Sequence, residues 1–168
     1  MGQACIQAIG ALGFKVSCWS RNAKGKFAPS TKAYAGEAEL DEFLAGCNTL
    51  VCLLPLTAAT AGFLSKRVFD ALPQGAHVIN AARGEHLVVG DLLEALDSDR
   101  LSRATLDVFD SEPLTQSSPL WHHRKVVLTP HIAARPTARA TAEQLLSNLA
   151  AIEVGLTPTH AVDVLAGY

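Results

Sequence analysis

Short apolar runs alternate along this chain with stretches of helical periodicity, and no other feature constrains its fold as tightly. Residues 14–19, 49–54, 76–80, 104–107 and 125–129 read as strands, each a brief run closed by polar or turn residues. Residues 3–12, 37–44, 65–72, 91–96 and 135–153 read as helices. Gly13 is the expected C-cap of the first helix, Ser65 the expected N-cap of the third, and Pro73 with Gly75 its stop. From Ser20 to about Ala33 the chain reads as a polar, Lys-rich loop. Such alternation predicts an α/β fold: a mostly parallel, doubly wound sheet with right-handed crossovers. No strand follows residue 135, so the last helix is expected to leave the sheet. This divides the chain into a domain of residues 1–134 and a helix and tail of residues 135–168.

Composition narrows the functional classes. With 168 residues the chain is long enough for one domain with a real core. A net charge of −2 gives no electrostatic footprint for nucleic acid. The longest apolar run, residues 50–56, is far shorter than the roughly 18 residues that suggest a membrane span. No basic segment precedes the N-terminal helix, so a soluble, cytoplasmic protein is expected. Cys5, Cys18, Cys47 and Cys52 make no C-x-x-C pair and read as small reduced core residues. His122 and His123 are adjacent and so point apart on regular structure, and no metal site is expected.

Chemistry concentrates in the second half. Asn80-Ala81-Ala82-Arg83-Gly84, Leu106-Asp107-Val108-Phe109-Asp110-Ser111-Glu112-Pro113 and Thr129-Pro130-His131-Ile132-Ala133-Ala134 each place one ionisable group just past a predicted strand. Ligands of open α/β sheets collect at the carboxyl ends of the strands. A guanidinium, a carboxylate and an imidazole converging there are the groups that reduction of a 2-keto acid requires. Taken singly, each has a plainer reading as a surface arginine, a solvated loop glutamate or a loop histidine. At the other end, Gly2 directly precedes the first helix, where the third glycine of G-x-G-x-x-G stands. Only Met1 lies before it. It reads either as a simple N-cap or as the remnant of a fingerprint whose strand and first two glycines are missing.

These phrases together resemble the D-isomer-specific 2-hydroxyacid dehydrogenases, most closely their glyoxylate/hydroxypyruvate reductase branch. Further matches are Cys18-Trp19-Ser20-Arg21, Leu53-Leu54-Pro55-Leu56-Thr57, Asp91 through Ser98, Ser118-Pro119-Leu120-Trp121 and the closing Gly167-Tyr168. The resemblance implies a Rossmann-like NAD(P)-binding domain with its first strand missing, an N-terminally truncated chain, and a C-terminal helix returning toward an absent substrate domain. It also implies hydride transfer to a small 2-keto acid by a homodimer. His131 is then the general acid, suited to the task by imidazole chemistry near neutrality. Glu112 is its partner, stabilising the imidazolium and fixing the ring. Family members that oxidise formate carry an amide there, so a carboxylate favours ketone–alcohol chemistry. Arg83 clamps the substrate carboxylate through its forked donors.

Cofactor contacts implied by the resemblance are Gly2, Leu54 and Ala82, with Pro55 and Thr60 on the adenine side and Asp107 at the nicotinamide carboxamide. Where an NAD enzyme carries an acidic residue after its second strand, this chain has Ser20 and Arg21, followed by Asn22 and Lys24. A hydroxyl and a guanidinium bind a 2′-phosphate that a carboxylate repels, so NADPH is expected over NADH. Trp121 is expected at the substrate pocket or an interface. His77, His86 and His160 are given no role. The alternatives are a non-catalytic dinucleotide-binding or dimerisation module, since fold alone does not fix function, and an inactive truncated product.

Overall fold

The computed structural model describes every residue except 22–26, 28–30 and 163–168. Its elements are helix α1 (Gly2–Ala11), strands β1 (Ser17–Ser20) and β2 (Lys32–Ala35), helix α2 (Leu40–Ala45) entered through a 3-10 turn, β3 (Thr49–Cys52), α3 (Lys66–Ala71), β4 (Ala76–Asn80), α4 (Val89–Asp97), β5 (Leu101–Leu106), β6 (Val126–Leu128) and α5 (Ala138–Glu153). The strands make two sheets, a pair β1-β2 and a four-stranded sheet in the order β3-β4-β5-β6. Every pairing is parallel. The predicted α/β class is therefore the observed one.

The core explains the register. Leu50, Cys52, Val78, Ala104 and Leu106 point to one face, where they meet Leu40, Leu44, Val68, Phe69, Leu92 and Leu96 of α2, α3 and α4. Val51 of β3, Arg103 of β5 and Val127 of β6 are exposed on the other face, as the two-residue period of a strand requires. Cys47 and Cys52 are core residues, while Cys5 and Cys18 are half-buried, and all four are free thiols. Helices α1 and α5 bury none of their residues.

Two local expectations are corrected. Residues 32–35 form a strand where a loop had been expected up to about Ala33. The Lys-Ala-Tyr-Ala stretch is too short to show apolar alternation, and Tyr34 reaches the core through an edge contact with Phe43. Ser65 does precede α3, but its side chain makes no capping bond. The free amide of Lys66 donates instead to Asp91 Oδ2 at 2.7 Å, so a residue of α4 caps α3. Gly13 takes the left-handed conformation (φ 87°) expected of a helix stop.

Candidate active site

Strands β4, β5 and β6 lie side by side, so the loops leaving their carboxyl ends are neighbours. The loop after β4 carries Arg83, the loop after β5 carries Glu112, and the loop after β6 carries His131. His131 Nδ1 lies 2.8 Å from Glu112 Oε2. A carboxylate only accepts, so Nδ1 carries the hydrogen and Nε2 is left for other chemistry. The second carboxylate oxygen, Oε1, accepts from the Phe109 amide at 3.0 Å. The Glu112 carboxyl is held below its ordinary range, first by the His131 hydrogen bond, then by the Phe109 amide, with the Arg83 charge adding to both. Glu112 thus bonds to His131 and also feels the Arg83 charge. The pair is well solvated, with His131 49% and Glu112 37% exposed, so it orients the ring more than it stabilises the fold.

Each loop is fixed by buried polar groups. Asn80 ends β4 fully buried; its amide donates to the Arg83 carbonyl at 2.9 Å and its Oδ1 accepts from the Ala82 amide at 3.2 Å. Ala82 itself is buried, and its carbonyl accepts from Arg83 Nη1 at 2.7 Å. Gly84 is buried against the next loop. A Cβ placed there would lie 1.9 Å from the Phe109 carbonyl carbon and 2.1 Å from the Asp110 nitrogen. The Arg83 and Glu112 loops therefore touch backbone to backbone, and only glycine permits that approach.

Asp107 organises the third loop. It is buried, and its Oδ1 accepts from Thr129 Oγ1 at 2.5 Å and the Ile132 amide at 2.9 Å, while Oδ2 accepts from the Ala133 amide at 2.8 Å. Burial pushes its carboxyl up, but these donors and the His131 charge outweigh it, and the net shift is downward. Three donors occupy three of a carboxylate's roughly four lone-pair positions, leaving Oδ2 able to accept one more. Between these anchors His131 itself adopts a left-handed backbone (φ 53°), unusual for a residue with a side chain.

His86, for which the sequence pattern suggests no role, ties two loops together. It is fully buried, with Nδ1 3.2 Å from the Arg83 carbonyl and Nε2 3.4 Å from the Pro55 carbonyl. Its only sequence signal is its place two residues after Gly84. Thr60 is also buried and shapes the loop after β3: its hydroxyl donates to the Pro55 carbonyl at 2.7 Å and accepts from the Thr57 amide at 2.9 Å. Leu54 packs half-buried against the core, and Pro55 is exposed.

The remaining predicted residues stand on other elements. Gly2 opens α1, and a Cβ there meets nothing within 4 Å among the described residues. Ser20 ends β1 and Arg21 follows it exposed, whereas Asn22, Lys24, Gly167 and Tyr168 fall outside the described residues. The residues described at this strand end, a hydroxyl and a guanidinium, fit a phosphorylated ribose better than a free diol. Trp121 is half exposed, with its indole donating to the Thr115 carbonyl at 2.9 Å. His77 meets Thr105 Oγ1 at 2.9 Å across β4 and β5, and burial followed by the Arg103 charge lowers its pKa. His123 pairs with Asp97 at 3.2 Å. Among the described residues no group of three metal-binding side chains gathers, and no helix is long and apolar enough to cross a membrane. A cleft between α3 and α4 is lined by Lys66, Asp70, Glu94 and Arg100 and contains no member of the triad.

The likeness to known proteins agrees with this geometry. Residues 1–133 match the profile of the D-isomer specific 2-hydroxyacid dehydrogenase NAD binding domain. The glyoxylate/hydroxypyruvate reductase A of Serratia proteamaculans is 46% identical over all 168 residues, which cover 53% of its length. A Xanthobacter autotrophicus D-isomer specific 2-hydroxyacid dehydrogenase, solved with NADPH and MES, superposes with a TM-score of 0.93 at 38% identity over 99% of this chain and 68% of its own. An NADPH-dependent glyoxylate/hydroxypyruvate reductase of Sinorhizobium meliloti, solved with NADP and sulfate, gives 0.91 at 40% identity over 99% of this chain and 54% of its own. The chain spans about half the length of the curated relatives it matches. It belongs to the D-isomer-specific 2-hydroxyacid dehydrogenase family.

Proposed function

We propose that this chain carries the proton-handling and cofactor-binding half of an NADPH-dependent reductase of small 2-keto acids, glyoxylate and hydroxypyruvate among them. The 2.8 Å bond between His131 Nδ1 and Glu112, within the field of Arg83, carries the reading. NADPH, when held there, would supply the hydride for the carbonyl carbon. Arg83 holds the substrate carboxylate with its paired donors and keeps the carbonyl beside the imidazole. His131 gives the proton on Nε2 to the carbonyl oxygen, and Glu112 stabilises the ring while it is charged. Asp107 Oδ2 accepts from a carboxamide with its remaining lone pair, and Ser20 with Arg21 takes the 2′-phosphate. Gly2, Leu54, Pro55, Thr60 and Ala82 belong to the cofactor side in the same reading. Residues 1–134 form the nucleotide domain and residues 135–168 the return toward a substrate domain. The assembly is a cytoplasmic homodimer.

A chimera tests this. The chain replaces the matching 53% of the Serratia proteamaculans relative, and glyoxylate and hydroxypyruvate reduction is followed with NADPH and with NADH. Turnover with NADPH preferred is the expected result; a soluble, folded chimera with no turnover overturns the reading. The exposure of the catalytic pair favours a second reading for the chain by itself, a dinucleotide-binding module without turnover. Calorimetry that finds NADPH bound and glyoxylate unreduced supports that alternative, and absence of binding rejects it.

A further inference from the structure

Two carbonyl oxygens from different loops converge on one buried ring. His86 Nδ1 lies 3.2 Å from the Arg83 carbonyl and Nε2 lies 3.4 Å from the Pro55 carbonyl, and the residue is fully buried. Each of these oxygens has another donor. The Arg83 carbonyl accepts from the Asn80 side-chain amide at 2.9 Å, and the Pro55 carbonyl from the Thr60 hydroxyl at 2.7 Å. Burying an imidazole costs free energy that an apolar side chain of similar size does not incur. What the ring adds beyond those donors is a link between the loop after β3 and the loop after β4.

The other bonds between these loops lie further along both. The Gly62 amide donates to the Glu85 carbonyl at 2.9 Å, the Leu64 amide to the His86 carbonyl at 2.8 Å, and the Val88 amide to the Leu64 carbonyl at 3.0 Å. Leu64 and Leu87 make a parallel bridge. Residues 62–64 are thus joined to residues 85–88 by backbone, and the Pro55 and Arg83 ends are joined through His86. The loop after β3 is also held from outside, where Phe63 stacks on Trp19 with ring centroids 5.6 Å apart. Trp19 of β1 directly precedes Ser20 and Arg21. A packed series therefore runs from that strand end, through the loop after β3, to the backbone of Arg83.

We infer that His86 is a positioning residue for Arg83: its ring holds the Arg83 backbone against the Pro55 loop, so that the cofactor side and the carboxylate clamp keep one relative placement. Being fully buried, the ring acts through the Arg83 backbone and not on the substrate. The consequence for the clamp rests on the reductase reading, whereas the link concerns only His86 and two carbonyls.

Variants at His86 separate a link from filled space. His86→Leu fills the volume without a donor, His86→Asn offers an amide in place of Nδ1, and His86→Gln offers one in place of Nε2. A carbonyl only accepts, so the nitrogen that carries the hydrogen is the one whose substitute should work. His77→Leu, near the opposite end of β4, controls for lost stability. In the 168-residue chain without cofactor, His86→Leu should speed amide exchange at Thr57 and Ala82 at least about threefold and leave Gly62 and Leu64 unchanged. In the Serratia chimera it should raise KM for glyoxylate about three- to tenfold with kcat nearly unchanged, because a displaced clamp weakens ground-state and transition-state binding alike. Asn or Gln should recover most of the parent KM, and His77→Leu should keep it even where its melting temperature falls. The inference is overturned if His86→Leu leaves exchange and KM at parent values, if Asn and Gln both raise KM as far as Leu does, or if His77→Leu raises it equally. A chimera without turnover removes the reductase reading and not the link, which the exchange pattern then decides alone.

Discussion

At the level of single residues, the arrangement of Arg83, Glu112 and His131 depends on groups outside that set. Gly84 allows two loops to meet at backbone contact, so Gly84→Ala forces them apart. The expected cost is on the order of 1–3 kcal/mol, the range for overpacking, read as a lower melting temperature by calorimetry. The His131–Glu112 coupling should weaken with it, seen as a change in the imidazole NMR shifts. Asp107 holds the His131 loop through three donors. Asp107→Asn turns one acceptor into a donor facing a backbone amide, and the loss should be about 1–3 kcal/mol. Arg83, Glu112 and His131 could be singled out only through the family-like phrases around them, since each alone reads as an ordinary loop residue. His86 and the anchoring bonds of Asp107 could not be, since nothing in a linear pattern reports which carbonyls a buried side chain will meet.

At the level of elements, strand–helix alternation made the fold class readable, and the failures occurred where elements are held by distant partners. The cap of α3 comes from Asp91, 25 residues away from Lys66. Asp91→Ala should lower stability by about 1 kcal/mol, the usual value of a cap, whereas Ser65→Ala, which removes no capping bond, should have little effect. Comparing the two melting temperatures decides between the caps. Strand β2 escaped the sequence because four residues at a sheet margin carry too little pattern. Its recognition depends on Tyr34 meeting Phe43 across 9 residues of chain. The edges of β1 and β3 also carry a consequence for handling. Expressed by itself, the chain should self-associate through them, visible as polydispersity in light scattering; a monodisperse monomer that unfolds cooperatively contradicts this.

For the whole molecule, acid and cofactor selectivity are the properties that follow. Asp107 and Glu112 both have carboxyls held below their ordinary range in the folded chain. Their contribution is therefore complete above the unfolded range near pH 4 and fades as pH falls through the lower folded values. Melting temperature should drop below about pH 4 in the parent chain and drop less steeply in Asp107→Asn. In the Serratia chimera, Ser20→Asp should shift preference from NADPH toward NADH, because a carboxylate accepts ribose hydroxyls and repels a 2′-phosphate. An unchanged preference would place the selectivity elsewhere. The central claim is that His131, ionically partnered by Glu112, delivers the substrate proton, and the most direct measurement is the pH profile of kcat for glyoxylate reduction by that chimera and two variants. His131→Gln should lower kcat by about 10²–10⁴-fold, the usual value of a general acid. Glu112→Gln should leave activity but displace the alkaline limb of the profile to lower pH, because the imidazolium loses its anionic partner. If His131→Gln turns over at the parent rate with an unchanged profile, the proton comes from another group and the account is wrong.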